Sequence, residues 1–292
     1  MDENIKKKIS IILPAKNESD SLEMILPELT DLFKGEQIIV VNDGSTDNTL
    51  EVCNKYDIDV ITHPYSKGNG ASIKSGARKA SGDILVFMDA DGQHLPTEVG
   101  YLIETLEEGY DMVVGARERA THASTLRYIA NSLYNKLATY MSGHKIMDLT
   151  SGFRAVRADI FRKYLYLLPN GFSYPTSITM ALFRSGYSIK YAPITCKKRI
   201  GKSHIKLLKD GFRFLLIIFR ITSLYSPLKI FTPLSLLFFF TGTFYYFYTY
   251  LLQGRFTNMS TLLLIISVLI FLFGLLSEQL TVLMYSNKNN DD

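Results

Sequence analysis

Cysteine is scarce in this chain of 292 residues. Cys53 and Cys196 lie in no Cys-x-x-Cys pair and no Cys/His cluster. That excludes a disulfide framework and a thiolate metal centre, and both read as unpaired residues of a reducing compartment. Net charge is scarce too. A formal +4 over the whole chain is too little to argue for a nucleic-acid partner. Two phosphate-binding signatures are missing. No Gly-x-Gly-x-x-Gly follows the first apolar run, and the Gly-x-x-x-x-Gly-Lys-Ser/Thr pattern does not occur, so neither a Rossmann dinucleotide site nor a P-loop is expected. The stretch Met1 to Lys8 is polar and the apolar run after it is only strand length, so no cleavable signal peptide is expected.

Long apolar runs are confined to the tail. Leu228 to Leu252 carries one charge, Lys229, and Thr261 to Met284 carries one, Glu278. Each is about 20 residues or longer, enough to cross a hydrocarbon layer of about 30 Å. With the short linker between them they read as a transmembrane hairpin. Lys197, Lys198, Arg199, Lys202, Lys206, Lys209, Arg213, Arg220 and Lys229 cluster before the first run. Such a cluster suits an anionic membrane face or a phosphate ligand, and equally a solvated helix face. Cations on that side put the preceding domain and the C-terminus in the cytoplasm. Phe212, Leu215, Leu216 and Phe219 fall at helical spacing among basic residues. That is the profile of a helix on a membrane surface, or of an ordinary amphipathic core helix. The expected organisation is therefore a soluble domain over 1–200, juxtamembrane amphipathic helices over 201–227, and membrane spans over 228–252 and 261–284.

Within 1–200, short apolar runs alternate with amphipathic helical patterns. Ile9 to Leu13, Gln37 to Val41, Asp59 to Thr62, Ile84 to Met88, Asp111 to Gly115 and Ser188 to Ile194 read as strands. Ser21 to Phe33, Thr46 to Tyr56, Ala71 to Ala80, Pro96 to Glu108, Leu126 to Tyr140 and Tyr174 to Ser185 read as helices, and Asp148 to Arg154 as a polar loop. The alternation predicts an α/β fold with a parallel-rich sheet covered on both faces.

Chemistry gathers at the strand ends, where open α/β sheets bind ligands. Asp89-Ala90-Asp91-Gly92-Gln93-His94 follows the fourth strand. In extended backbone Asp89 and Asp91 project to one side, with Gln93 two residues on. Hard oxygens so placed suit Mg²⁺ or Mn²⁺. Pro14-Ala15-Lys16-Asn17-Glu18 follows the first strand, and Asn42-Asp43-Gly44-Ser45-Thr46-Asp47 the second. Both read equally as acidic ligand loops or as turns with helix caps. Lys67-Gly68-Asn69-Gly70 runs into a helix start and can approach a nucleotide or its phosphates.

These blocks, in order and with Asp148-x-Thr150-Ser151-Gly152-Phe153-Arg154, resemble a family 2, GT-A fold glycosyltransferase of the dolichol-phosphate-mannose synthase-like branch. The resemblance runs from about Ile9 to Ile205, and the paired tail segments resemble bacterial and archaeal members. It implies a nucleotide-sugar donor, GDP-mannose or a UDP-hexose or N-acetylhexosamine. Pro14, Glu18 and Asp43 would hold base and ribose, beside Lys16, Lys67 and Gly68. Asp89, Asp91 and Gln93 would bind the metal. Arg117, Arg127, Asn131, Ser132, Arg199 and Lys202 would meet the phosphate of a polyprenyl acceptor, dolichyl or undecaprenyl. Asp148 would be a base or an orienting residue. The chain departs from the family at Lys16, where tyrosine is frequent, and at Ser203-His204, where Ser-Lys is usual. A processive polysaccharide synthase of the same family would carry Gln-x-x-Arg-Trp, and this chain has no tryptophan. A hydroxyl acceptor and a catalytically inactive membrane scaffold stay as alternatives; three oxygen ligands at a strand end argue against the scaffold.

Overall fold

The computed structural model describes residues 7–117, 125–171, 173–196, 226–255 and 257–286. The chain divides into two compact units, Met1–Ile205 and Lys206–Asp292.

In the first unit the elements are β1 (Ile9–Ala15), α1 (Ser19–Leu32), β2 (Gln37–Asn42), α2 (Thr49–Cys53), β3 (Asp59–Thr62), α3 (Asn69–Lys79), β4 (Ile84–Phe87) and α4 (Thr97–Glu107). There follow β5 (Met112–Arg117), α5 (Thr125–Ser142), β6 (Arg154–Arg157), α6 (Ala158–Lys163), α7 (Tyr174–Arg184) and β7 (Ile189–Ile194). The strands form one seven-stranded sheet in the order β3-β2-β1-β4-β6-β5-β7. All pairs are parallel except those of β6, which runs antiparallel to both β4 and β5. This is the expected parallel-rich α/β sheet, of the GT-A kind, with one reversed strand.

The continuous apolar runs are explained by two covered faces. Successive side chains alternate across a strand. Ile11 and Leu13 therefore join α1 and α4 in one core, while Ile12 joins α3, α6 and α7 in the other. Each fully buried Leu or Ile contributes about 1.5–3 kcal/mol, so a run apolar at every position is what such a strand requires.

Several elements differ from the expectation: α6 was not foreseen, β1 and β5 run on to Ala15 and Arg117, and α1 and α3 start two residues early. Residues 154–157, whose first residue ended the expected polar loop, form β6, because Arg154 is buried rather than solvated. The second helix begins at Thr49, not Thr46. Ser45 and Thr46 bond the preceding loop instead: Ser45 Oγ accepts from Asn17 N at 3.0 Å, and Thr46 N donates to Asn17 Oδ1 at 2.8 Å.

In the second unit, helices Leu228–Gln253 and Asn258–Ser286 form a hairpin. Both are long and apolar enough to cross a membrane. Their buried faces carry only small residues, at intervals of seven: Ser235, Gly242 and Thr249 on the first, Ser260, Ser267, Gly274 and Thr281 on the second. Ser235 Oγ donates to Ser267 O at 3.0 Å. A Cβ on Gly274 would stand 2.6 Å from Phe231 Cβ. Small side chains let the backbones approach, while the large apolar ones face outward. Glu278, the one acid of the second run, accepts a long bond from Leu228 N at 3.5 Å, at the start of the first helix, where the helix dipole favours a negative charge.

Candidate active site

The loops after β1 and β2 are knitted together before any ligand is considered. Asp43 N donates to Ala15 O at 2.8 Å. Glu18 N donates to Thr49 Oγ1 at 3.1 Å, and Ser19 N to Asp47 Oδ2 at 3.2 Å. Asn17 turns the chain with φ 55°, a left-handed conformation that asparagine tolerates. Lys16 Nζ reaches across to Ser66 Oγ at 3.0 Å. Pro14 sits in β1, opposite Val41.

Asp43 is the knot. Its buried carboxylate accepts from Lys67 N at 2.8 Å, Gly68 N at 2.9 Å and Ser66 Oγ at 2.8 Å, and lies 2.7 Å from His63 Nδ1. Burial raises its pKa, but the bonds from His63, Lys67, Gly68 and Ser66 outweigh it and hold the group below the ordinary carboxylate range. The glycines of the next loop are spent on close packing. A Cβ on Gly68 (φ +101°) would meet Asn170 O at 2.5 Å, and one on Gly70 would meet Pro169 O at 2.1 Å. Asn170 O also accepts from Ala71 N at 3.1 Å, and Lys74 Nζ donates to Asn170 Oδ1 at 2.5 Å. The α3 N-terminus, expected to face a phosphate, is thus partly covered by the 168–171 segment.

Asp89, at the end of β4, is different. It keeps 34% of its side chain accessible. Burial opposes its charge; His94 first, then Arg117 and the Asn69 amide, hold its pKa below the ordinary value. Behind it the wall is backbone. A Cβ on Gly152 would stand 2.7 Å from Asp89 Oδ2, so only glycine leaves the carboxylate its seat. His94 Nε2 is 3.9 Å from Asp89 Oδ2, and its ring stacks on Phe153 at 4.7 Å. Cys196 Sγ lies 3.9 Å from its Nδ1. Burial disfavours the charged imidazole, yet Asp89 and Cys196 together push its pKa up to about 9. Asp91 is buried and accepts from Gln93 N at 3.2 Å, closing a turn through Gly92.

Arg117, ending β5, forms a two-pronged pair with Asp148. Nε reaches Oδ2 at 2.7 Å and Nη2 reaches Oδ1 at 3.0 Å; Nη2 also donates to Thr150 Oγ1 at 2.8 Å. Such a fork fixes the guanidinium plane. Arg154 lies fully buried in the same strand-end layer. It donates to Ser151 O, to Pro175 O at 3.1 Å and to Thr179 Oγ1 at 3.3 Å, with the Tyr174 ring 5.8 Å away. Its Nε, Ser151 Oγ and Tyr191 OH are buried without a hydrogen-bond partner.

The structure therefore brings Asp89, Asp91, Gln93, Arg117 and Asp148 to one end of the sheet, with Lys16, Asp43, Lys67 and Gly68 in the adjoining loops. Ser132 lies on α5, half-buried. The side chains of Arg127 and Asn131, and all of Arg199 and Lys202, lie outside the described residues, as does 201–225 of the expected juxtamembrane helices. His63 and Ser66 were not singled out from sequence; Gly152 was named within the Asp148 to Arg154 block, without a role of its own. A signal existed for His63: it directly follows β3, at the same sheet end as the other motifs.

No metal cage is complete within the protein: among the described residues no three His, Cys, Asp or Glu form a group that could hold an ion. The donors nevertheless fit Mg²⁺ or Mn²⁺. Asp89 is ionised, accessible and seated on backbone, with Asp91 and Gln93 beside it, and such ions normally take part of their shell from substrate phosphates and water.

Comparison with known proteins places the chain in a family. Glycosyl transferase family 2 matches residues 10–165, and a second family, the GtrB C-terminal hairpin, matches residues 226–283. The chain belongs to glycosyl transferase family 2. It is 34% identical to the undecaprenyl-phosphate 4-deoxy-4-formamido-L-arabinose transferase of Proteus mirabilis over 163 residues, covering 52% of this chain and 50% of that one. It is 37% identical to the dolichol-phosphate mannosyltransferase of Pyrococcus furiosus over 116 residues, covering 38% of this chain and 33% of that one. The chain thus spans about half the length, or less, of these curated relatives. Among solved structures it is similar in fold to glucosyl-3-phosphoglycerate synthase from Mycobacterium tuberculosis, in complex with Mn²⁺, UDP and glucosyl-3-phosphoglycerate. The TM-score is 0.61 at 21% identity, covering 75% of this chain and 80% of that one.

Proposed function

We propose that the chain transfers a sugar from a nucleotide diphosphate donor to a polyprenyl phosphate at a divalent metal, with inversion at the anomeric carbon. The observation that carries this reading is Asp89: an ionised carboxylate, a third accessible, seated against Gly152 and within the field of Arg117. Asp89, Asp91 and Gln93 would hold Mg²⁺ or Mn²⁺. Bound there, the ion would act as a Lewis acid for the departing diphosphate.

The protein's part is positioning. A phosphate monoester has a second pKa near ~6, so the acceptor is already largely a dianion at neutral pH and needs no strong base. It needs cations that hold it close to another anion. Arg117, with its plane fixed by Asp148, supports that role, with Arg127, Arg199 and Lys202 as further partners. Lys16, Lys67 and the loops knotted at Asp43 would line the donor side. If the acceptor were a hydroxyl, Asp148 would have to take its proton. Both Asp148 oxygens already accept from Arg117, which favours the phosphate reading.

In this reading 1–200 is a cytoplasmic catalytic domain, 201–227 a juxtamembrane segment, and 228–252 and 261–284 the spans of a multi-pass membrane protein, oriented by the basic cluster. The activities for which the two transferase relatives are named support the lipid-phosphate acceptor.

The test is a transfer assay. Full-length protein in detergent, with Mn²⁺ or Mg²⁺, is offered labelled UDP- and GDP-sugars with and without short polyprenyl phosphate, against Asp91→Ala. Label moving into an organic-soluble, mild-acid-labile product, and lost in the variant, supports the proposal and identifies the sugar. Metal-dependent donor binding without lipid product shifts the reading to a hydroxyl acceptor with Asp148 as base.

A further inference from the structure

Helix α5 presents two faces. Tyr134, Ala138 and Met141 are buried, and Tyr134 OH bonds Thr176 Oγ1 at 3.0 Å, fixing the helix against α7. The opposite face carries Leu133, Lys136, Leu137 and Tyr140, the i, i+3, i+4 and i+7 positions of one stripe. Leu133 is 65% exposed and Tyr140 59%; Lys136 is exposed and Leu137 half-buried. One exposed leucine is ordinary. A stripe of leucine, leucine and tyrosine this exposed, on an anchored helix, is more than burial within the described residues requires.

The charge along this stretch of sequence has one sign. No Asp or Glu occurs between Glu118 and Asp148, while Arg119, Arg127, Lys136 and Lys145 do. Large apolar side chains interleaved with lysine, and no acid, fit an anionic lipid surface: the apolar groups enter the headgroup boundary and the ammonium groups meet lipid phosphates. A protein partner of ordinary composition would leave these cations without matched carboxylates.

We infer that the outer face of α5 is a bilayer-docking surface of the catalytic unit, with Leu133, Leu137 and Tyr140 in the headgroup boundary and Lys136 and Lys145 on anionic lipid. This rests on the proposed lipid-borne acceptor. It also gives the site a mechanical link to the membrane. Asn135, on the flank of α5, donates from Nδ2 to Met147 O at 2.7 Å and accepts from Leu149 N at 3.1 Å. Those bonds bracket Asp148, which fixes Arg117. A helix held on the bilayer therefore holds the acceptor-side arginine at a set depth.

The absence of tryptophan supplies the test. Leu133→Trp and Tyr140→Trp each make a single-tryptophan protein, and Met24→Trp, at an exposed position on α1, is the control. The full chain is reconstituted in nanodiscs containing about 30% phosphatidylglycerol, with or without dibrominated acyl chains. Bromolipid is expected to quench both α5 reporters by about twofold or more and to leave the control unquenched, since bromine quenches only at short range inside the boundary. Lys136→Glu with Lys145→Glu should reduce that quenching, and should raise KM for bilayer-borne acceptor without changing kcat. Quenching of both α5 reporters no greater than that of the control, including the case where a second copy covers the face, overturns the inference. The quenching is read without turnover. Quenched reporters in a protein that glycosylates a soluble hydroxyl would keep the surface and overturn the lipid-phosphate function instead.

Discussion

The two halves of the strand-end layer use polar groups in opposite ways. On the β1–β3 side every acidic loop is tied into the protein: Asp43 has four partners, and Asp47 accepts from Thr49 Oγ1 at 2.5 Å. On the β4–β7 side, Asp89 is a third accessible, and among the described residues Arg154 Nε, Ser151 Oγ and Tyr191 OH lack partners, against Asn69 Oδ1 alone after β1 to β3. Buried polar atoms are normally satisfied. A side that satisfies itself is scaffold first. A side that leaves capacity unused is where ligand and ion have something to bind. Sequence motifs alone did not separate the two, because both are Asp-rich loops after apolar strands.

The contrast can be broken by mutation. Asp89→Ala should give the largest effect, a loss of about 10³-fold in transfer as the proposed metal ligand, with a smaller loss of stability because it also faces the buried His94. A melting temperature lowered as much as activity would put Asp89 on the scaffold side. Asp43→Ala should do the reverse. It leaves the Lys67 and Gly68 amides, Ser66 and His63 without their acceptor, and should cost about 3 kcal/mol of stability in denaturant titration. Full stability with lost donor binding would make Asp43 a ligand contact first.

Gly152→Ala comes next. A methyl 2.7 Å from Asp89 Oδ2 must displace the carboxylate, and such a shift should lower kcat by about 10²-fold; unchanged kcat would show that Asp89 is not held by that wall. The smallest effect is in pH. His94 titrates near 9 in the folded chain against an ordinary 6.5. Its contribution to stability is therefore complete below about 6.5 and lost as pH rises through about 9. With divalent ions chelated, the melting temperature should fall across that window, and fall less in His94→Asn. Equal slopes would remove His94 from the charge balance of the site.

The fold was largely legible because its central strands β1, β2, β4 and β5 are nearly continuous apolar runs between helical patterns. Asp59–Thr62 was read with its observed limits, and Ile84 to Met88 to within one residue. Strand β6 was hidden, since a strand opening and closing on arginine reads as solvated loop; only the tertiary partners of Arg154 bury it. The Asp89 motif was legible because it ends a buried strand. Gly152 stood out only as part of the Asp148 to Arg154 block; its role was hidden, because it is the lack of an atom beside a residue sixty-three positions away in the chain. The Arg117–Asp148 pair joins residues on separate elements, and nothing local to either announces the other.

The small-residue stripes of the hairpin have a consequence for how the tail can assemble. Contact points recur every seven residues on both helices, so sliding one helix by a single turn would drive leucine or phenylalanine where only serine, threonine or glycine fits. The next permitted alignment lies a full repeat away, about 10 Å along the axis. Reaching it would drag the turn at Gly254 out of line with the helix ends. The hairpin works as a ratchet with one usable tooth, and can lock its register as soon as its second helix is made.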